Sequence, residues 1–430
     1  MVQVHRGEAG GTGTGAAAAE GGPSPGAVAR PGSVAGWLRR LESPVAAYYL
    51  VLGATVALTV IGLVMVLSSS SVESLRATGS SYTFFGKQAL FAVAGMPAAW
   101  IASRLPPRVW AALAWPALAV GIVALLLVFT PLGFAVQGNR NWVAIGGITA
   151  QPSEAAKLAL VVWGSSVLHH KRPLLGRTSH LLVPLLPGAG LMVLLVLGGH
   201  DLGTSMVLML IAAMLLFAAG APLRLFLVGA AAAGTLLALL ISVSPNRTGR
   251  LEAWMHDGGC TDYYGSCWQS VHGTWALATG SWWGVGLGAS RQKWSWLPEA
   301  HNDFIFAIVG EELGLAGTLA VLLLFAALGF GLFRLVQASD EFAVKVATAG
   351  VFAWVLGQAV INIAGVLGLL PVIGVPLPLL SSGGSALLTT LVALGMVLGF
   401  ARRVPGARAV LAVRPAVLAR SRAVLPNRRT

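Results

Sequence analysis

"WLPEAHNDFIFAIVGEELG", residues 296–314, runs from a polar, acid-bearing approach into an apolar stretch that continues to about residue 335. The protein has 15 Asp and Glu in 430 residues, yet Glu299, Asp303, Glu311 and Glu312 all fall within this one segment. An apolar run of about 20 residues is long enough to cross a bilayer, and the run near 304–335 exceeds that. Outward from it lie similar runs near 46–67, 86–103, 108–130, 153–170, 181–198, 202–220, 223–243, 344–370 and 386–402. The chain is 56% apolar and 10% charged, where a soluble domain is about a quarter charged. Such sequences cannot supply polar faces for an aqueous core. The expected fold is an all-α polytopic membrane protein of about ten transmembrane helices, with a large loop before the eighth.

The net charge of +13 raises the question of nucleic acid, and its distribution answers it. Residues 402–430 hold eight arginines and no acid, the pattern of a chain held at an anionic cytoplasmic leaflet. Membrane lipids are the expected partner of that charge; nucleic acid is not. Residues 1–45 are rich in Gly, Ala and Pro and read as a disordered cytoplasmic tail. No cleavable signal peptide is expected, so the first run is an uncleaved anchor. The membrane domain is expected over 46–403 and a basic cytoplasmic tail over 404–430. If spans alternate, Arg104, Arg108, Lys171, Arg172, Arg177, Arg224, Arg334, Lys345 and both termini fall on one side. The positive-inside rule makes it cytoplasmic.

Three loops then face outward, at 131–151, 244–303 and 371–385. The second is the longest and holds seven of the 14 tryptophans, together with both cysteines, Cys260 and Cys267. An oxidising exterior favours a local disulfide there, as a loop staple.

Four segments carry polar interruptions, and all four lie on the outer side. The first is the opening stretch. Asn302 or Asp303 could cap the helix that follows. Glu299, His301 and Asp303 also offer oxygen and nitrogen donors, although alternate spacing is no recognised metal signature. Glu311 and Glu312 lie about 12 Å deeper at helical rise, where acids usually face a polar cavity or a partner. The second is "GNRNWVAIGGITAQPSEAAKLAL", 138–160. Pro152 suits a first helical position and Glu154 a capping arrangement, with Lys157 on nearly the same face. Trp142 above them reads either as an interfacial aromatic or as a platform for a sugar ring. The third is "GGHDLGTS", 198–205, where Asp201 reads as a helix cap. The fourth, "VPLPLLSSGGSALL", 375–388, breaks the apolar pattern at bilayer depth with Ser381, Ser382, Gly383 and Gly384. Irregular backbone there must be buried in protein or line a wet cavity. The convergence implies an outward-facing cavity for a polar-headed amphiphile. Arg140, Arg247, Arg250, Arg291 and Lys293 are external too, and read either as solvated charges or as ligands for phosphate oxygens.

At these residues the chain resembles the SEDS family (shape, elongation, division and sporulation), the polytopic peptidoglycan polymerases. "GLGASRQKWSWLPEAHNDFIFAIVGEELGLAG" at 286–317 resembles its most characteristic block. "NRNWVAIGGITAQPSEAAKLA", "HDLGTS" and "PLPLLSSGGSALL" resemble the other three, in the family's order. The similarity covers about 46–403. The wording is nearer to the division branch, in its actinobacterial form, than to the elongation branch. Ser382 departs from the pattern, since an aromatic usually precedes the Gly-Gly pair. The resemblance implies a glycosyltransferase that polymerises lipid II, an undecaprenyl-diphosphate disaccharide-pentapeptide. It implies that Asp303 is the essential carboxylate, with Trp142, Glu154 and Lys157 lining the cavity. It also implies a class B penicillin-binding protein and other division proteins as partners, at the septum of a bacterial plasma membrane.

The chemistry fits these residue types. The 4-hydroxyl of an acceptor sugar attacks the anomeric carbon of an α-linked diphosphate and gives a β-1,4 bond. One inverting displacement needs a base and no second nucleophilic carboxylate; Asp303 is the expected base. The leaving diphosphate needs positive charge, from Lys157, Arg140, Arg291, Lys293 or a divalent cation such as Mg or Mn. No organic cofactor is expected. Two rival readings are a lipid II flippase, whose membrane-embedded ions would look similar, and a non-catalytic division scaffold.

Overall fold

The computed structural model describes residues 45–404 and 407, except 137, 243, 244, 256–263 and 266. The tails expected at 1–45 and 404–430 therefore lie outside the described residues, save Val45, Val404 and Ala407. In chain order the helices are α1 Ala46–Thr78, α2 Thr83–Ala102, α3 Pro107–Ala112, α4 Ala114–Leu127, α5 Pro152–His170, α6 Thr178–Gly198 and α7 Leu202–Ala218. There follow α8 Leu223–Ser242, α9 Pro245–Met255, α10 Trp268–Gly280, α11 Ile305–Ala338, α12 Phe342–Val366 and α13 Gly384–Ala401. Each apolar run of the sequence contains a helix. Among the described residues six of these, α1, α6, α8, α11, α12 and α13, are long and apolar enough to cross a membrane on length and composition alone. α4 and α7 are shorter apolar helices. α2 carries Lys87 and Gln88, and α5 carries Glu154 and Lys157. The third run is divided at Leu113, because Pro116 lacks an N–H and its ring opposes the carbonyl of Ala112.

α1 continues 11 residues beyond the expected end at 67. Its 33 residues span about 50 Å, against a hydrocarbon core of about 30 Å. The polar extension is tolerated because most of its hydroxyls are satisfied, Ser69 Oγ being the buried exception. Ser70 Oγ donates to the Val66 carbonyl at 2.6 Å, and Ser74 Oγ to the Ser80 carbonyl at 2.6 Å. Gly79, at φ 75°, ends the helix with its N–H on the Leu75 carbonyl at 2.9 Å, a left-handed glycine stop.

α11 is kinked where Gly314 takes φ 68° and ψ −164°, a region essentially reserved for glycine. The kink frees helical carbonyls and N–H groups, and the connection after α10 satisfies them. Val285 N donates to the Glu311 carbonyl at 2.9 Å and Gly286 N to that of Glu312 at 3.0 Å. Leu315 N donates in turn to the Ser281 carbonyl at 2.8 Å. Irregular backbone inside a membrane protein needs such internal partners. The approach is close enough that a Cβ on Gly280 would collide with the Gly310 carbonyl.

α13 packs along α2, α11 along α1 and α12 along α7, with α5 contacting α4, α7 and α12. α8 differs from the rest: none of its described residues is buried by protein. To the helical membrane fold the structure adds a small antiparallel sheet, β1 Gly133–Val136, β2 Asn139–Ile145 and β3 Ile148–Ala150. Gly146 and Gly147, at φ 58° and 81°, supply the two positive φ angles of the β2–β3 hairpin turn. Phe134 pairs with Trp142 and Val143 with Ala150.

Candidate active site

At the end of the bundle that carries the sheet lies a cavity of about 570 Å³. The sheet contributes Phe134, Asn141 and Trp142, and the residue before α5 contributes Gln151. His200 and Asp201 enter from the start of α7, and Glu299, Asn302 and Asp303 from the approach to α11. The segment before α13 supplies Gly374, Pro376, Ser382 and Gly383, and the first turn of α13 supplies Ser385. All four polar-interrupted blocks of the sequence therefore meet on one space. Ile241 of α8, Leu251 of α9 and Gln269 of α10 complete its wall.

Asp303 is half-buried on this wall. It does not cap α11: Phe304 holds the cap position, and no side chain bonds there. Its backbone is fixed instead. The Asn362 amide of α12 donates to the Asp303 carbonyl and to the Val375 carbonyl, both at 2.8 Å. Gly374 backs the carboxylate so closely that a Cβ there would lie 3.5 Å from Asp303 Oδ2. Glu299, at φ 56°, accepts from Asn302 Nδ2 at 2.6 Å; a non-glycine residue in that region is strained. Ser381 Oγ donates to the Asn302 carbonyl at 2.7 Å, and Ser382 N to the His301 carbonyl at 2.9 Å. The 299–304 turn is thus clamped between α12 and the segment before α13. Gln88 of α2 grips the same segment, donating to the Ser381 carbonyl at 3.2 Å and accepting from Gly383 N at 3.0 Å.

Asp201 caps α7, accepting from Thr204 N at 2.9 Å and Thr204 Oγ1 at 2.8 Å. The same carboxylate accepts from Asn141 Nδ2 at 2.9 Å and Gln151 Nε2 at 3.4 Å. One buried acid thereby ties the sheet, the α5 start and the α7 start together.

The four cations considered for a diphosphate are placed elsewhere. Lys157 is 1% exposed and bonded to Glu154 Oε1 at 2.8 Å and Gln358 Oε1 at 2.9 Å, with the Trp354 ring 5.2 Å away. Lys293 is buried against Glu312 at 3.4 Å and donates to the Gly288 carbonyl at 2.7 Å. Arg140 donates to the Thr130 carbonyl at 2.9 Å, and Arg291 is exposed on its loop. None of the four lines the cavity. A cation at membrane depth settles on the nearest carboxylate or carbonyl because burying it unpaired is costly.

Glu311 and Glu312 likewise face the folded-back loop. Glu311 accepts from Ser290 Oγ at 2.5 Å and Arg291 N at 2.9 Å, and Glu312 from Ser68 Oγ of α1 at 2.6 Å. Glu154 forms no capping box: the Gln151 N–H goes to Ser385 Oγ at 3.1 Å. His301 turns to Glu73 of α1, at 3.1 Å, and not to Glu299 and Asp303. Among the described residues no group of three or more His, Cys, Asp or Glu is placed to hold a metal ion. Gly384 meets the Phe91 ring. Cys267 is disulfide-bonded, while Cys260 and the side chains of Arg247 and Arg250 lie outside the described residues.

The sequence profile of the FtsW/RodA/SpoVE family, described as "cell cycle protein", matches residues 49–404. The chain belongs to this family. Among the curated members it is similar to the probable peptidoglycan glycosyltransferase FtsW of Mycobacterium tuberculosis, 39% identical over 376 residues, covering 87% of this chain and 71% of the relative. The corresponding FtsW of Thioalkalivibrio sulfidiphilus is 40% identical over 351 residues, covering 80% and 86%. Among solved structures, Thermus thermophilus RodA superimposes with a TM-score of 0.61 at 26% identity, covering 83% of this chain and 97% of that one. A chain of a peptidoglycan synthase complex that coordinates polymerization and crosslinking gives 0.66 at 26%, covering 82% and 96%.

In this FtsW/RodA/SpoVE chain the amides matter more than the sequence pattern indicates, where only Asn302 stands out, as a helix cap. Asn141, Gln151 and Asn302 line the cavity, while Gln88 of α2 and Gln358 and Asn362 of α12 hold its irregular backbone from inside two helices. A signal was present, since an isolated Asn or Gln inside an apolar span needs a partner. His200 was missed as well. It lines the cavity at φ 64°, beside the aspartate that drew notice.

Proposed function

We propose that the chain is a peptidoglycan glycosyltransferase that polymerises lipid II into β-1,4 glycan strands at the outer face of the membrane, with Asp303 as general base. The observation that carries this is the position of Asp303, on the wall of a polar cavity formed by four separate blocks. The glycosyltransferase names of the curated relatives support the activity. Because these relatives are of the division type, the reading extends to the septum and to division proteins as partners. The synthase complex among the structural neighbours supports pairing with a class B penicillin-binding protein. The arginine distribution supports placing both termini in the cytoplasm.

In the proposed step the acceptor 4-hydroxyl oxygen bonds to the donor's anomeric carbon as the bond from that carbon to the diphosphate breaks. The hydroxyl proton passes to Asp303, and the electron pair leaves with undecaprenyl diphosphate. Trp142 and the amides Asn141, Gln151 and Asn302 suit sugar recognition, a flat ring beside hydrogen-bonding groups. Glu299 lines the same cavity, and Mg²⁺ takes one or two carboxylates together with phosphate oxygens; a cation held there with the substrate would neutralise the leaving group and leave Asp303 to act as base.

Detergent-solubilised protein given purified lipid II is expected to yield glycan polymer, read on a gel. A flippase needs two compartments and would yield none. A chelator arm reads the cation: loss of polymer restored by Mg or Mn assigns it, and undiminished polymer excludes it.

A further inference from the structure

Asp303 lies on a turn that three parts of the fold hold. α12 grips the Asp303 carbonyl, and the segment before α13 grips the carbonyls of His301 and Asn302. The corner between α1 and α2 reaches the same turn through a side chain. His301, 8% exposed, does not line the cavity. Its ring meets Glu73 of α1 and Phe84 of α2. Nδ1 stands 3.1 Å from Glu73 Oε2, and the ring centroid lies 5.5 Å from that of Phe84. The approach to Glu73 lacks the direction of a well-formed hydrogen bond, so the attraction is chiefly electrostatic. A carboxylate facing Nδ1 draws the ring proton to that nitrogen.

The corner that receives the ring is tied within itself. Ser74 Oγ donates to the Ser80 carbonyl at 2.6 Å and accepts from Phe84 N at 3.3 Å, joining the last turns of α1 to the first of α2. Thr78 Oγ1 donates to Thr83 Oγ1 at 2.8 Å across the same corner. The end of α1 is braced in turn on the chain either side of the Asp303 turn. Ser68 Oγ donates to Glu312 at 2.6 Å, and Arg76 donates to Ser295 Oγ. With Glu73 between them, these contacts run along about 12 Å of helix. The Glu73 side chain is 52% exposed, and an ion pair exposed to that extent adds little stability. Its removal therefore tests geometry more than folding.

We propose that Glu73 is a positioning residue for polymerisation: through His301 it fixes the roll of the 299–304 turn, and so the direction of the Asp303 carboxylate. The proposal rests on the polymerase reading above. Backbone bonds at residues 301–303 locate the turn, and a ring anchored off the chain axis resists its rotation. His301 and Asp303 are two positions apart, so a roll that frees the one swings the other. A general base works only within hydrogen-bond reach of the proton it takes. A misplacement of about 1 Å can cost up to about 10²-fold in rate. Glu73 touches neither substrate nor the reacting atoms in this account; its effect passes through the His301 ring.

The test uses the full-length protein in nanodiscs, with initial polymerisation rates read over a range of lipid II concentrations. Glu73→Ala and His301→Ala are each expected to lower kcat about tenfold, with KM within about twofold. The double variant should fall no further than the lower single, because both changes remove one contact. Glu73→Gln, which keeps an oxygen facing the ring nitrogen, should recover most of the rate. A second readout needs no turnover. With Asp303→Cys as the sole thiol, Cys260 and Cys267 being changed to Ser, Glu73→Ala should speed modification of that thiol several-fold. Glu73→Ala carries the test alone if His301→Ala fails to fold. An unchanged kcat and an unchanged modification rate for Glu73→Ala would overturn the proposal. So would additive losses in the double variant, or a raised KM at constant kcat, which would make His301 a substrate contact. A loss that Glu73→Gln does not recover and a lower melting temperature matches would make the contact merely structural. A wild type that makes no polymer would instead refute the polymerase reading, and the thiol readout would still judge the positioning.

Discussion

Asp303→Asn is expected to lower glycan formation from purified lipid II by about 10²–10⁴-fold, the usual contribution of a positioned general base, and to leave the fold unchanged. The amide keeps the size and hydrogen-bonding reach of the carboxylate and removes its basicity. Asn362 holds the Asp303 backbone carbonyl, which the substitution preserves. The cap position of α11 belongs to Phe304, not to this residue. Polymer on a gel, beside a melting curve in the same detergent, separates chemistry from stability. Wild-type polymer from the variant would remove Asp303 from the reaction.

Lys157→Met is expected to destabilise the protein by about 3–5 kcal/mol, the range for removing one partner of a buried ion pair. Glu154 would keep a charge at 1% exposure without its cation, and its Oε2 already has no protein hydrogen-bond partner among the described residues. Gln358 would lose one contact as well, loosening the amide that donates to the Pro376 carbonyl at 2.8 Å. Removing both charges, as Glu154→Gln with Lys157→Met, is expected to recover most of the loss, because a buried pair replaced together is often close to neutral. Melting temperatures of the three proteins check this. The double variant should also make polymer, since neither residue reaches the cavity wall. A stable double variant without activity would return Lys157 to the substrate's diphosphate.

Much of the fold could be read from composition and the length of the apolar runs alone. Span length, Pro152 at a first helical position and Asp201 as a cap are local matters, set by a few adjacent residues. The convergence of the four blocks was legible as well, because polar interruptions in hydrocarbon need a shared refuge. Partner choice was not. Lys293 meets Glu312, His301 meets Glu73, and Lys157 meets Gln358 across 201 positions, and sequence spacing carries no record of such pairings. The extension of α1 was hidden for the same reason. Ser68 reads as a polar end to a span until Glu312 is seen to take its hydroxyl at 2.6 Å. Three of the four cations looked like phosphate ligands because they were counted before the carboxylates and carbonyls that hold Lys157, Lys293 and Arg140 were located. The small sheet went unread because its strands are short and its pairing needs glycines at Gly146 and Gly147 to turn it.

The central claim is that the Asp303 carboxylate stands in water-accessible space open to the exterior. Asp303→Cys, in a chain with Cys260 and Cys267 changed to Ser, places one thiol on that wall. In intact cells a small membrane-impermeant thiol reagent is predicted to modify it from outside, and purified lipid II should slow the modification of the solubilised protein. Modification only after the cytoplasmic face is opened, or only after unfolding, would contradict the account.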